Sequence, residues 1–169
     1  LTEGVKPQLV RSLGASSCLQ LTSSRISDFN AKAQRRKRAE RMTENEMAKV
    51  VVDAAIEVHR TLGGPGLLET VYEEALAFEL ESRGLTVVRQ KAVPLVYKGK
   101  RLASDLRLDL LVGDRVIVER KAAAACNRVF EAQALTYLRL SDLKLAIVIN
   151  FGEVKVRQGI HRVVNGLQE

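Results

Sequence analysis

The chain lacks tryptophan and has few other aromatic residues, with three tyrosines and four phenylalanines among 169 residues. It holds only two cysteines, Cys18 and Cys126, which lie far apart and form no CxxC motif. This excludes a disulfide framework and makes a reducing, cytoplasmic compartment the simpler expectation. No apolar run approaches the roughly 20 residues that cross a bilayer, so no membrane partner is expected.

The positive charge of the chain is concentrated near its start. The formal net charge is +7, but residues 1–41 hold nine Lys/Arg against three Asp/Glu, whereas the remainder holds eighteen against seventeen. The basic character therefore says little about whether the rest of the chain binds nucleic acid. Residues 1–41 are also rich in serine without a sustained apolar period, which predicts a basic, disordered extension. A phosphate-binding arm and an organelle transit peptide are the alternatives.

Residues 42–169 have the patterning of one domain. A capping box at Thr43 and Glu46 begins a predicted helix that ends at Gly63. A second predicted helix covers residues 67–83, and Gly84 terminates it. Its apolar face is expected to comprise Leu68, Val71, Tyr72, Ala75, Leu76 and Leu80.

The pattern then changes to strands. Residues 85–91 and 92–97 are predicted as separate strands, the second at an edge because it contains Pro94. Alternation over 101–112 puts Leu106, Leu108 and Leu110 on one side. The remaining predicted elements are strand 116–121, helix 128–140, strand 143–150 and a short strand at 154–156. This order predicts an α/β fold, with a mixed central β-sheet flanked by α-helices and a crossover between parallel strands.

One segment carries residues suited to metal chemistry. Glu119 and Lys121 are two apart on a strand, so their side chains share a face. If Asp109 lay about 4 Å from Glu119, the two charges would repel by roughly 4 kcal/mol at an effective dielectric of 20, which a divalent cation would relieve. Oxygen ligands and waters suit Mg²⁺. The alternative is an ordinary ion pair of Lys121 with Glu119 or Asp109.

The length of the loop between two strands decides whether these acids converge. A two-residue turn at Gly113-Asp114 would pair Asp109 with Val118 and send Glu119 to the opposite face. A three-residue loop over 113–115 would pair Asp109 with Glu119. The metal hypothesis requires the longer loop, which Gly113 permits without demanding it.

Four features in a fixed order resemble the GxxExxY proteins, a branch of the PD-(D/E)XK nuclease superfamily. They are GxxExxY (Gly66, Glu69, Tyr72), D…ExK (Asp109, Glu119, Lys121), QxxxY (Gln133, Tyr137) and the segment Ile149-Asn150-Phe151-Gly152. The resemblance covers residues 43–165. It implies a restriction-endonuclease-like core, in agreement with the predicted element order.

The resemblance also implies roles for these residues. Asp109 and Glu119 would bind Mg²⁺ or Mn²⁺ with the backbone carbonyl of Arg120, and Lys121 would orient the attacking water. Glu69 would complete the site directly or through water. Gln133 and Tyr137 would support the site and contact DNA, while Gly66 and Tyr72 are structural parts of their motif.

Two positions depart from the pattern of the superfamily. Leu108 stands where the motif has proline, and Arg120 replaces the usual apolar residue between Glu and Lys. The implied function is metal-dependent hydrolysis of phosphodiester bonds in nucleic acid, with DNA favoured and a dimer left open. One alternative is a non-catalytic module that keeps the fold and binds nucleic acid or protein. The other is a protein-interaction domain in which residues 1–41 alone contact nucleic acid.

Overall fold

A five-stranded sheet with helices on both faces forms the core of the computed structural model, which describes residues 33–34, 37, 39–124 and 127–167. A helical segment that includes Ala39 and Glu40 precedes α1 (Glu44–Thr61) and α2 (Glu69–Ser82). The strands β1 (Val87–Tyr97), β2 (Lys100–Val112) and β3 (Val116–Lys121) follow. Helix α3 (Arg128–Ser141) leads to β4 (Leu145–Asn150), and a short 3₁₀ helix (Val156–Gly159) leads to β5 (Ile160–Val164).

The strands lie in the order β1-β2-β3-β4-β5, and only β3 and β4 are parallel. Helices α1 and α2 share one apolar cluster with one face of the sheet, and α3 packs in a second cluster on the other face. This is the mixed α/β architecture that the sequence predicts for a restriction-endonuclease-like core. The parallel pair joined through α3 also agrees with the predicted crossover between parallel strands.

Both cysteines and most of the predicted basic extension lie outside the described residues. Residues Arg35–Glu169 form one compact unit. Within it, Ala39 is buried, and the Arg115 side chain donates to the backbone carbonyls of Glu40 and Met42. The Arg115 guanidinium therefore ties the segment before α1 to the β2–β3 loop.

Four details of the predicted elements are wrong. Residues 87–97 form one edge strand with a register shift between Pro94 and Val96, not two strands. Residues 154–156 form no strand, and β5 was not predicted. On α2, Leu68 and Val71 are exposed while Glu73 and Ala77 are buried.

The fourth correction concerns β2 at the candidate site. Leu108 packs in the cluster around α3, whereas Leu110 packs in the cluster around α1 and α2. The predicted alternation therefore breaks at Asp109. On the neighbouring strand Gln90 has a φ of 51°, and the ladder has no pair between Gln90 and Asp109. A local irregularity of this kind re-aims side chains, and here it lies beside a candidate metal ligand.

Candidate functional site

The β2–β3 loop has the length that brings Asp109 and Glu119 together. Val112 pairs with Val116 across a three-residue loop, and the ladder continues to Leu110 opposite Val118. Gly113 and Asp114 both have positive φ values, of 59° and 56°. A Cβ on Gly113 would lie 2.7 Å from the Met47 sulfur, so the loop packs closely on α1.

Beyond Leu110, carboxylates take over the hydrogen bonds between β2 and β3. The backbone N–H of Arg120 donates to Oδ2 of Asp109 at 3.0 Å, and the N–H of Asp109 lies 3.4 Å from Oε1 of Glu119. The two carboxylates thus hydrogen-bond to each other's strands at the point where the residue pairing of β2 and β3 ends. The other oxygen of each carboxylate has no hydrogen bond within the part of the chain that the structure describes.

The Glu119 carboxyl is almost completely buried, with 2% of the residue exposed. Burial and then the nearby negative charge of Asp109 raise the pKa of Glu119 to about 8, although Lys121 acts in the opposite direction. The Lys121 amine lies 4.0 Å from Oε2 of Glu119 and 5.6 Å from the centre of the Phe130 ring. A buried acid beside a second acid is the electrostatic situation that a divalent cation relieves.

Helix α3 supplies the polar pair on this face of the sheet. Gln133 donates a hydrogen bond to the Tyr137 hydroxyl at 2.5 Å. Burial raises the pKa of Tyr137, the bond from Gln133 lowers it, and the charges of Glu119 and Asp109 raise it further. Tyr137 therefore lies within electrostatic reach of both acids. Of the predicted site residues, Asp109, Glu119 and Lys121 lie together, and Gln133 and Tyr137 form a bonded pair on the helix that packs on the same face.

Arg120 points to the other face of β3, where it meets α2. It is buried and donates to Oε2 of Glu73 through Nε at 2.9 Å and also through Nη2. Burial raises the pKa of Glu73, but hydrogen bonds from Arg120, Arg89 and Gln90 outweigh it and leave that pKa below its usual value. Sequence patterning does not reveal this network, because an acid on an amphipathic helix ordinarily faces solvent.

Glu69 is on the Arg120 side of β3. Its carboxylate accepts from Nη1 of Arg120 and from the backbone N–H of Ala122, each at 3.1 Å. Among the described residues, no group of three or more His, Cys, Asp or Glu side chains is arranged to share a metal. Direct ligation by Glu69 as a third acid is therefore not seen. The physical reason is that α2, which carries Glu69, packs on the Arg120 face of the sheet, where the guanidinium pairs with this carboxylate.

Gly66 and Tyr72 build the turn that places Glu69 at the start of α2. Gly66 has a φ of 110°, which favours glycine. The buried Tyr72 hydroxyl donates to the Gly64 carbonyl at 2.8 Å and accepts from the Leu67 N–H at 3.3 Å. The Tyr72 ring stacks on Phe151 with centroids 4.5 Å apart. The motif thus joins the turn before α2 to the end of β4.

Asn150 fixes the segment that follows Lys121. Its side chain accepts from the N–H of Ala123 at 3.0 Å and donates to the Ala123 carbonyl at 2.9 Å. A Cβ on Gly152 would lie 2.1 Å from that same carbonyl, so only glycine allows this approach. The order Asn150-Phe151-Gly152 therefore has a structural basis next to Lys121.

Replacing Tyr72 by phenylalanine tests the turn. We expect the variant to lose about 1 to 2 kcal/mol in free energy of unfolding, because the part-buried Gly64 carbonyl and Leu67 N–H both lose their hydrogen bonds to the Tyr72 hydroxyl. Urea denaturation measures the change. Tyr97→Phe is the matched control, since Tyr97 is 61% exposed, and we expect it to change stability by less than about 0.5 kcal/mol. Equal effects of the two changes would contradict this role of Tyr72.

Comparison with known proteins gives one match. The family model of the PD-(D/E)XK nuclease superfamily matches residues 45–163, which is well over half of the chain. A search of curated proteins and a search of solved structures give no match. No helix in the described ranges is both long and apolar enough to cross a membrane.

Proposed function

Because this chain belongs to the PD-(D/E)XK nuclease superfamily, we propose that it hydrolyses phosphodiester bonds in DNA with a divalent metal ion. One observation carries the proposal: the three-residue β2–β3 loop puts Asp109 opposite Glu119, with Lys121 on the same face as Glu119. The pairing of Val112 with Val116 fixes that register. We also propose membership of the GxxExxY branch, because the chain has the GxxExxY motif and its Gly66 and Tyr72 build the turn before α2.

The residues present suit a hard cation. Asp109 and Glu119 each keep one carboxylate oxygen outside the hydrogen bonds between the strands, and these oxygens with the Arg120 carbonyl and waters would hold Mg²⁺ or Mn²⁺. The raised pKa of Glu119 favours the same interpretation, since a cation would replace the proton. When bound, the ion would polarise the phosphate and lower the pKa of a bound water.

The protein's own groups would handle charge and orientation. The Lys121 amine, held between Glu119 and the Phe130 ring, would orient the attacking water and offset the charge that grows on the phosphate. Gln133 and Tyr137 would position the substrate from α3. Glu69 would act indirectly, because its carboxylate holds Arg120 and the Ala122 amide in place. A contact of Glu69 with the metal through water stays a prediction.

A cleavage assay with the full chain tests the proposal. Single-stranded, duplex and branched DNA are incubated with Mg²⁺, Mn²⁺ or EDTA. We expect cleavage only with metal, and a loss of about a hundredfold in rate for Asp109→Asn because a charged ligand is removed. Asp53→Asn is the matched control, since Asp53 is an exposed acid on α1, and it should cleave like the unchanged protein.

Two outcomes would contradict the proposal. Cleavage by the Asp109→Asn variant at the unchanged rate would reject the assigned site. DNA binding without metal-dependent cleavage by the unchanged protein would favour the non-catalytic module. The pairing of Glu69 with Arg120 favours that second candidate, because among the described residues Asp109 and Glu119 then have no third acid with which to share a metal.

A further inference from the structure

The outer part of the β1–β2 hairpin is exposed on both faces. We call residues 89–107 the hairpin arm. Lys98 and Gly99 form its turn with positive φ values of 48° and 79°, typical of a two-residue hairpin. Val93 is its last buried residue toward the tip, and residues 98–105 are all exposed. The arm is thus a two-stranded ribbon that extends past the packed part of the sheet.

Positive charge is concentrated on this arm. Residues 89–107 contain six Lys/Arg and a single acid, Asp105. The rest of residues 42–169 contains twelve Lys/Arg against sixteen Asp/Glu. The near-neutral net charge of residues 42–169 is therefore the sum of a positive arm and a negative remainder. A basic patch beside an acidic remainder orients a polyanion toward the patch.

Three basic side chains of the arm are available for a ligand. Arg89 bonds to Glu73, Arg101 lies 3.4 Å from Asp105, and Lys91 lies 4.0 Å from Asp114. The other three have no ion pair within the described ranges, and all are exposed: Lys98, Lys100 and Arg107. A cation without an acidic partner gains most from a phosphate, because no existing ion pair has to break.

We propose that the hairpin arm is the docking element for duplex DNA and binds its phosphate backbone, an inference that rests on the proposed nuclease function. A two-stranded β-ribbon has the width that the major groove admits. Strand β2 runs from the tip of the arm directly to Asp109. The eight residue-to-residue steps from Arg101 to Asp109 cover about 25 Å of strand, or roughly seven base pairs of duplex.

The chemistry of the tip favours phosphate contact over stacking on bases. Tyr97 is exposed, but the Lys98 amine lies 5.5 Å from the centre of its ring. Binding of a single strand uses successive aromatic rings, whereas Tyr97 is the single aromatic residue of the arm. Val96 and Leu102, the other exposed large residues near the tip, offer no aromatic ring. Duplex is therefore the expected ligand.

A binding assay in EDTA separates docking from cleavage. The full chain and its variants are titrated with a labelled 20-base-pair duplex at several salt concentrations. We expect the triple variant Lys98→Ala, Lys100→Ala, Arg107→Ala to bind at least tenfold more weakly at low salt. The slope of log K against log salt should fall by about 2 to 3, because up to three phosphate contacts are lost.

The matched control removes the same charge elsewhere. Lys49, Arg139 and Lys144 are exposed and lie outside the arm, and their triple alanine variant should keep most of the affinity. Circular dichroism and thermal unfolding check that both variants are folded. A charge-reversal variant, with glutamate at the same three arm positions, should abolish duplex binding at salt levels where the control binds.

The outcomes distinguish this inference from the proposed function. If the arm and control variants bind duplex equally while the unchanged protein cleaves DNA, docking by the arm is rejected and the nuclease stands. If the arm variants lose binding but the unchanged protein never cleaves with metal, docking stands and catalysis is rejected. Preference for single-stranded over duplex DNA in the EDTA titration would also overturn the inference, as would no DNA binding by the unchanged protein.

Discussion

Replacing Glu119 by glutamine is expected to stabilise the metal-free protein by about 3 to 5 kcal/mol at pH 9, yet to change its stability little at pH 4.5. The reason is the difference between a pKa of about 8 in the folded state and the ordinary value of 4.5. In the unfolded chain the carboxyl ionises freely above pH 4.5, whereas in the folded protein burial and Asp109 oppose the charge.

The direction of the pH dependence follows from this difference. A group whose folded pKa is raised keeps its proton better in the folded state, so Glu119 favours folding most below pH 4.5. Between pH 4.5 and about 8 the unfolded state holds fewer protons at this group, and its contribution to stability falls. Above about pH 8 the loss is complete. Glutamine cannot ionise, so the variant escapes the loss.

Urea denaturation in EDTA at pH 4.5, 7 and 9 measures the effect. The matched control is Glu81→Gln, an exposed glutamate on α2, which should change stability by less than about 0.5 kcal/mol throughout. A difference between Glu119→Gln and the unchanged protein that does not vary with pH would contradict the burial argument.

Divalent metal should reduce the stability advantage of the Glu119→Gln variant over the unchanged protein. Mg²⁺ that binds only the folded state stabilises by RT ln(1 + [Mg²⁺]/Kd), about 2.7 kcal/mol at a hundred times Kd. We expect this gain for the unchanged protein at pH 8, and a much smaller one for Glu119→Gln, which lacks the charged ligand. If Mg²⁺ stabilises both proteins equally, Glu119 is not a ligand of the proposed metal site. The argument that burial raises its pKa would still hold.

Replacing Arg120 by alanine is expected to lower the free energy of unfolding by about 3 kcal/mol. The Glu73 carboxylate is buried and would keep only Arg89 and Gln90 as partners. A buried charge that loses its main partner costs far more than a surface ion pair gains. Denaturation at pH 7 measures the loss, and Arg101→Ala, which breaks an exposed ion pair, should cost less than about 1 kcal/mol.

A second variant distinguishes the stability lost with the ion pair from the stability lost with the side-chain volume. Arg120→Met combined with Glu73→Leu removes both charges and keeps apolar bulk at the position, so it should recover most of the stability. If Arg120→Ala proves as mild as Arg101→Ala, the buried network of Arg120 and Glu73 contributes nothing to stability.

Several parts of the fold could be predicted because their signals are local. The capping box of Thr43 and Glu46 is present at the start of α1, with the Glu46 carboxylate 2.7 Å from the Thr43 N–H. Asn127 caps α3 through the Val129 N–H at 3.0 Å. The apolar runs of β3 and β4 indicated central strands, and both are buried along almost their whole length. Each signal depends on neighbours within a few residues.

Other parts failed because the deciding contacts are distant in sequence. The apolar face of α2 was misplaced since Glu73 counts as polar, yet Arg120 and Arg89 make it a buried residue. Strand β5 is a short edge element with polar and apolar residues mixed, and its pairing with β4 defines it. Leu108 was assigned to the face of Leu110 because strict alternation takes no account of the irregularity beside Gln90.

By itself, the sequence determined the acids, the lysine and, apart from the division of β1, the order of elements from α1 to β4. Spacing along a strand is enough to put Glu119 and Lys121 on one face. Only the tertiary structure decided that Asp109 joins them. The packing of Gly113 on Met47 and the bonds of Arg115 to the segment before α1 accompany the three-residue loop. A loop one residue shorter would have put the two acids on opposite faces of the sheet, since side chains alternate with a period of two.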